Sequence, residues 1–292
     1  MIRLRMRIRR WLGALAARRT PAESAPALSA PVASTQAAPT QAAPTPSAAR
    51  PPKRAFARGP FEAEGLRLAL NPYGAYALRE ALLSRPAARV VADGRVWEPQ
   101  TLALIRARAA QGGDVVHAGT FFGDFLPALC GGLREGARLW AFEPNPDSFA
   151  LARLTARLNG LSALELRHAG LSDRHGAGRL RVAGPDGEAL GGMSHLVEAA
   201  EDAVGTAEVP LLRLDEAVPA DRRVAVVQLD VEGHEAAALR GGAALIRRWR
   251  PMLVLERFET PELLEEIAPR ARYRQVGEVE ANAVFAPLGE EV

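Results

Sequence analysis

The chain has 292 residues, 48% of them hydrophobic, enough to build the core of one large α/β domain or two small ones. Its single cysteine, Cys130, excludes an internal disulfide framework and a clustered cysteine metal site, and fits a reducing, cytoplasmic setting. The net charge of +3 is unevenly spread: before Gly59 eleven basic residues face one acid, Glu23, so the remainder carries about −7, the wrong sign for a nucleic-acid partner.

Residues 1–58 read as a basic segment followed by a linker. "MIRLRMRIRRWLGALAARR" spaces Arg among Ile, Leu, Met and Trp without an acid. It suits either an amphipathic helix on an anionic membrane surface or acidic partner, or a disordered basic extension. Its apolar run is too short and too interrupted for a signal sequence or a membrane span. From Thr20 to Arg58, alanine, proline, serine and threonine dominate and no apolar period survives, which predicts an extended flexible linker.

Residues 59–112 form a lead-in. A short strand-like piece, the Asn71-Pro72 turn signal and a helix-like run come first. "VVADGRVWEP" reads as a hairpin turning at Asp93-Gly94, and "QTLALIRARAAQGG" as a helix ended by glycine. Segments of this kind cover the open edge or mouth of an α/β sheet.

From residue 113 to 292 the pattern alternates. Apolar strands are predicted at "DVVHAG", "RLWAFEP", "ALELRHAGLS", "VAVVQLDVEG" and "PMLVLERF", with helices near 124–134, 146–159 and 234–248. Continuous apolar strands separated by helices are what a parallel sheet buried on both faces requires, so the fold class is a doubly wound α/β domain. "YRQVGEVE" and "NAVFAPL" then predict an antiparallel pair at one end of the sheet, where a dinucleotide-binding fold would repeat βαβ units.

Gly119 and Gly123 follow the first of these strands, and Glu143 ends the second, 20 residues after Gly123. Glycine lets the backbone turn and a ligand come close, and an acid at the second strand end can accept hydrogen bonds from both ribose hydroxyls. "HAGTFFG" lacks the third glycine of a dinucleotide loop and the Gly-Lys-Ser/Thr of a phosphate loop. A nucleoside without phosphates remains the candidate ligand.

At this point the residues resemble a known family. "VVHAGTFFGDFLPAL", "LWAFEPNPDSF", "LTARLNGL", "AGLSDRHG", "LLRLDEAV" and "VVQLDVEGHEAAALRGGAALIRRWRPMLVLE" are similar to the FkbM family of S-adenosylmethionine-dependent methyltransferases, over about residues 112–258. The resemblance implies a class I methyltransferase, Rossmann-like: a doubly wound, mostly parallel seven-stranded sheet with a closing antiparallel hairpin. It implies S-adenosyl-L-methionine as cofactor and a hydroxyl on a sugar, glycan or other polar metabolite as acceptor.

The family's D-x-G-A-N-x-G motif falls on His117 to Gly123, so His117, Gly119, Thr120 and Gly123 take cofactor-binding positions. His117 stands in place of the acid, Thr120 of alanine and Phe121 of asparagine. Glu143 matches the ribose-binding acid of "FEPNP", Asn145 is the expected cap of the following helix, and Ser172 and Asp173 match the loop that faces adenine. In "LDVEGHE", strand alternation sets Asp230 and Glu232 on one face, with Glu235 at the next helix start; Gln228 stands where relatives commonly carry lysine.

A hydroxyl acceptor needs a group to take its proton, and the candidates in order are Asp230, His234 and His195. Asp230, Glu232 and His234 lack the spacing of a recognised metal signature, so no metal is expected. Two other readings stay open: a methyltransferase fold that binds without catalysing, because of His117, and a nicotinamide-dependent oxidoreductase, disfavoured by the glycine spacing and the closing hairpin.

Overall fold

A computed structural model describes residues 65–197 and 204–288. The basic segment, the linker and the lead-in before residue 65 lie outside the described residues. A hairpin opens the described chain, β1 (Leu66–Asn71) against β2 (Gly74–Arg79). The Asn71 side chain accepts the Tyr73 N–H at 2.9 Å and closes the turn. A 3₁₀ turn at Glu80–Ser84, α1 (Pro86–Ala92) and α2 (Pro99–Ala109) complete the lead-in.

Two lead-in expectations are corrected. The run after Gly74 is a strand, because side chains of a distant helix satisfy its free edge. Asn159 accepts from Ala75 N at 2.9 Å and donates to Ala75 O at 2.6 Å, while Thr155 accepts from Ala77 N at 3.1 Å. Asp93-Gly94 does not turn a hairpin but ends α1. Gly94 has φ +75° and donates to Val91 O, and Arg95 N donates to Val90 O, the paired bonds of a Schellman stop. The glycine stop expected after "QTLALIRARAAQ" is present: α2 gives way to Gly112 and Gly113, at φ +103° and +101°.

The main sheet has seven strands. In chain order they are β3 (Asp114–Ala118), β4 (Leu139–Phe142), β5 (Leu164–Arg167), β10 (Val224–Leu229), β11 (Met252–Glu256), β12 (Arg274–Val279) and β13 (Asn282–Ala286). Their spatial order is β12-β13-β11-β10-β3-β4-β5, and only β13 runs antiparallel to its neighbours. Every residue of β3, β4 and β10 is buried, as their unbroken apolar runs demand.

Helices α2, α3 (Leu126–Cys130) and α4 (Pro146–Leu158) cover one face over Val115, Leu139, Val226 and Val254. The other face, with Val116, Leu229 and Leu253, packs under α5 (Leu214–Ala217), α6 (Glu235–Gly241), α7 (Ala243–Trp249) and α8 (Glu262–Ile267). Each fully buried Val or Leu stabilises by roughly 1.5–3 kcal/mol relative to exposure.

Three elements differ from expectation. The helix near 124–134 shrinks to the five residues of α3. The helix near 234–248 breaks at Gly241-Gly242, where a Cβ on Gly241 would collide with Ser172 O and one on Gly242 would lie 2.8 Å from Leu214 Cδ2. "ALELRHAGLS" is not one strand: β5 ends at Arg167, and β6 (Gly170–Leu171) joins a second sheet.

That second sheet has the order β6-β9-β7-β8, from β7 (Gly176–Arg181), β8 (His195–Val197) and β9 (Thr206–Leu212). Pro210 masks β9 in the sequence, since proline is excluded from central strands. It is tolerated because the two-residue β6 pairs only with Leu211 and Leu212. Among the described residues no helix is long and apolar enough to cross a membrane.

Candidate functional site

The carboxyl ends of β3, β4 and β10 and the connection from β7 to β8 border a cavity of about 40 Å³. Gly119, Phe121, Glu143, Asp230 and His234 line it, with Gly191, Gly192 and Ser194 as its roof.

Gly119 has φ +84°, and a Cβ there would collide with the Asp230 carbonyl, so glycine is what lets the ends of β3 and β10 meet. Phe121, at φ +51°, turns its N–H to Glu143 Oε2 at 2.6 Å, and Asn145 N donates to Glu143 Oε1 at 2.8 Å. The carboxyl is 4% exposed, and burial pushes it up to about 8 against the pull of those two N–H groups. Each oxygen keeps a further lone pair for a ligand donor.

Asn145 caps α4, as expected, accepting from Asp147 N and Ser148 N at 2.9 and 3.2 Å. Its amide also donates to Ser194 Oγ at 2.8 Å, tying the roof to the helix start. The roof packs on Phe121: a Cβ on Gly191 would lie 2.8 Å from its ring. Arg85 clamps the roof from the lead-in side, with Nη2 on Ala189 O at 2.7 Å, Nη1 on Met193 Sδ at 3.1 Å and an ion pair to Glu188 at 3.4 Å.

Four expected site residues line the cavity: Gly119, Glu143, Asp230 and His234. Six others sit elsewhere. Thr120 is fully buried and donates Oγ1–H to Phe142 O at 3.1 Å, which holds the loop. Gly123, at φ +88°, has Leu126, Ala152 and Thr155 within 3.0–3.3 Å of where its Cβ would be, so it serves helix packing.

Ser172 and Asp173 form a chain to His234: Nε2 of His234 lies 3.1 Å from Ser172 Oγ, which donates to Asp173 Oδ1 at 3.3 Å. Burial lowers the His234 pKa, with Asp173 opposing and Arg174 reinforcing. His195 lies on β8 with Nδ1 3.2 Å from Met193 O, near enough to Glu232 to pull that acid's pKa down.

His117 is the sixth. It is 2% exposed, stacks on Phe125 with ring centroids 5.4 Å apart, and bonds through Nδ1 to the Gln228 side chain. The two residues are register partners on β3 and β10, and Gln228 is also 2% exposed. Burial pushes the imidazole down to about 4, so it is neutral. Nε2 is buried without a protein partner. The two departures from the family pattern, His117 and Gln228, are therefore one structural unit.

Beyond the cavity, oxygens of Asp230, Glu232 and Glu256 lie within 4.8 Å of one another. One cation could bridge such a spacing, but His234 is not in this trio, having turned to Ser172. Burial first, then Glu256, holds Asp230 well above the usual carboxylate range. Glu232, at φ +52°, and Glu256 border a second, outer groove of about 440 Å³ with Arg257, Phe258 and Thr260. Glu235 instead accepts Val231 N and Gly233 N at 3.1 and 3.3 Å and holds the turn before α6.

Glu256 escaped the sequence reading because "PMLVLE" reads as a core strand. Its signal is an acid at the carboxyl end of the strand beside β10. Arg85, Phe121 and Ser194 carry no such signal, since each acts through contacts made only in the fold.

A mostly parallel seven-stranded sheet closed by antiparallel β13, with a glycine loop after β3 and acids at the ends of β4 and β10, defines a doubly wound α/β fold with a candidate ligand site at its carboxyl edge. Residues 117–275 match the methyltransferase FkbM domain, and the chain belongs to that family. Among solved structures it is similar to the methyltransferase FkbM from Methylobacillus flagellatus KT, at 17% identity and TM-score 0.43 over 60% of this chain and 43% of that one. A methyltransferase from Geobacter sulfurreducens matches at 16% identity and TM-score 0.35, over 67% of this chain and 82% of that one. The Pyrococcus abyssi tRNA (uracil-54, C5)-methyltransferase in complex with S-adenosyl-L-homocysteine matches at 12% identity and TM-score 0.40, over 76% and 44%. The chain thus spans less than half the length of the first and third of these proteins. No curated protein matches.

Proposed function

We propose that this chain transfers the methyl group of S-adenosylmethionine to a hydroxyl of a sugar, glycan or other polar metabolite. The observation that carries this is the meeting of Gly119, Glu143 and Asp230 around one cavity. The donors present fit a nucleoside: an acid for ribose hydroxyls, apolar walls from Phe142 and Leu171, and neither lysine nor a third glycine for phosphates.

Bound S-adenosylmethionine would supply an electrophilic methyl. The chain's own work is then alignment, exclusion of water and removal of one proton. Glu143 would hold the ribose end, and the roof tied by Asn145 and Arg85 would keep water out. Asp230, at the border of cavity and outer groove, would take the hydroxyl proton, worth ~10²- to 10⁴-fold in rate. His234, oriented by Ser172 and Asp173, is the second candidate for that task, and His195 near Glu232 the third.

The binding-only reading rested on His117. What weighs against it is that His117 does not line the cavity and keeps a hydrogen-bonded partner in Gln228.

A thermal-shift series with S-adenosylhomocysteine and NAD tests the proposal. The first at about 100 times its dissociation constant should stabilise the protein by ~2.7 kcal/mol, and NAD should not. Glu143→Ala should abolish the shift, whereas Asp230→Ala should keep it and lose labelled methyl transfer into fractionated extract. A wild-type protein that ignores S-adenosylhomocysteine would sink the reading.

A further inference from the structure

The inner cavity offers about 40 Å³, little more than the ~30 Å³ share of one water molecule. Sites that bury a small molecule have ~300–1,000 Å³. A nucleoside therefore enters only if part of the wall gives way. The strand side is fixed: β3, β4 and β10 are buried along their whole length, and Gly119 brings the ends of β3 and β10 into contact. What can yield is the roof and the ring beneath it.

Phe121 is that ring. Its backbone, at φ +51°, is held by the N–H bond to Glu143 Oε2 at 2.6 Å. The side chain is 6% exposed, packs edge-on against Phe122 with ring centroids 4.7 Å apart, and lines the cavity beside Glu143. Both roof glycines rest on it: a Cβ on Gly191 would lie 2.8 Å from Phe121 Cε2, and one on Gly192 3.3 Å from Cδ1. An aromatic side chain thus fills space next to the acid proposed to hold the ribose.

The roof is fastened from outside the site. Arg85 holds Glu188, Ala189 and Met193, and Ser84 Oγ donates to Glu188 Oε1 at 3.2 Å. These contacts are few and polar, and Met193 is an exposed residue. Segments held in this way open at less cost than the core of a sheet.

We propose that Phe121 and the roof form a gate over the nucleoside site, with the Phe121 ring as its plug and Arg85 as its latch. The inference rests on the proposed function above and adds how that site is entered. The latch releases, the ring leaves the space beneath Gly191 and Gly192, the ligand takes that space, and the roof closes over it.

The two parts act on different quantities. The ring competes with the ligand only in the free protein, so it lowers affinity by the fraction of time the plug is in place. The latch is made both before and after entry, so it has no preference for either state and slows arrival and departure alike. Position 121, asparagine in the resembled family, therefore sets how tightly this chain holds a nucleoside.

Surface plasmon resonance of S-adenosylhomocysteine on the immobilised full chain reads both parts. Phe121→Asn removes the ring and keeps a residue that tolerates positive φ, so the dissociation constant should fall about three- to tenfold. Phe121→Leu, apolar and smaller, should shift it in the same direction and serves if asparagine disturbs folding. Arg85→Ala should raise the association and dissociation rates together by about tenfold and leave the dissociation constant within about twofold.

A dissociation constant that stays the same or rises in the Phe121 variants would overturn the plug. Unmoved rates in Arg85→Ala, or a tenfold change confined to one of the two, would overturn the latch. Absence of binding in the wild type and in every variant would instead strike the proposed function, and the gate with it.

Discussion

His117 and Gln228 occupy the positions where the resembled family carries an acid and commonly a lysine, and here they are register partners joined by a side-chain hydrogen bond. The pair is uncharged, a neutral imidazole bonded to an amide. The exchange can be tested by reversing it one side at a time.

His117→Asp alone places a carboxylate at a site that is 2% exposed, opposite an amide and without a cation, and it removes the ring stacked on Phe125. Gln228→Lys alone places an ammonium at an equally buried site, facing an imidazole that is already neutral. Each leaves one uncompensated buried charge, which costs about 3–5 kcal/mol, or roughly a 6–20 °C fall in melting temperature for a domain of this size.

The double variant restores opposite charges at paired positions, and its total cost should be under about 3 kcal/mol. The coupling energy should thus reach several kcal/mol, beyond the ~0.5 kcal/mol scatter of independent sites. Urea denaturation of the four proteins measures it. Additive single costs would refute the claim that the two positions work as a unit. So would wild-type stability in either single variant.

Other consequences are measurable on the wild-type protein or a single variant. Burial raises Glu98 and Asp124 to about 7 and Glu143 to about 8, and stability from a raised acid is lost as pH climbs through the folded value. His117, pushed down to about 4, acts oppositely: its contribution is complete above its ordinary pKa and is lost as pH falls toward 4. Urea midpoints should therefore fall as pH rises from about 5 to 8, with His117 blunting the fall below about 6.5, and flatten above 8; a rise with pH between 6.5 and 8 would contradict the burial of these acids. Arg85→Ala removes three contacts to the roof, so amide exchange across residues 188–194 should accelerate by about tenfold or more while β3 and β10 stay protected. Unchanged exchange there would mean that Phe121 and Ser194 hold the roof without the clamp.

What could be read from the sequence follows from where the physics is local. β3, β4, β10 and β11 are continuous apolar runs, and a strand buried on both faces has no other appearance. Asn145 was legible as a cap because its two N–H partners lie two and three residues on. The strand character of β2 was not legible, because its edge is satisfied by Thr155 and Asn159 from a helix far along the chain. The second sheet was hidden by Pro210 and by strands whose pairing is set over tens of residues. At the site, Gly119, Glu143 and Asp230 end strands, which is where open α/β sheets place ligands. Thr120 and Gly123 share the same motif, yet they serve the loop and the helix packing.

His117 shows the limit most clearly. Its substitution was visible, as a cofactor contact or a satisfied core histidine, but its partner stands 111 residues away on the neighbouring strand, so the sequence could not show what the imidazole bonds to. In the fold, Gln228 and Asp230 are alternate residues of one strand end and share a face, about 6–7 Å apart along the chain. A neutral layer, His117 with Gln228, therefore lies directly beneath an anionic one, Asp230 with Glu256. A lone carboxylate at 117 would add one more negative charge to a neighbourhood already holding Glu98, Glu232 and Glu256, and would press Asp230 further toward its protonated form. His117 thus keeps a hydrogen-bonded partner, Gln228, in a layer without charge.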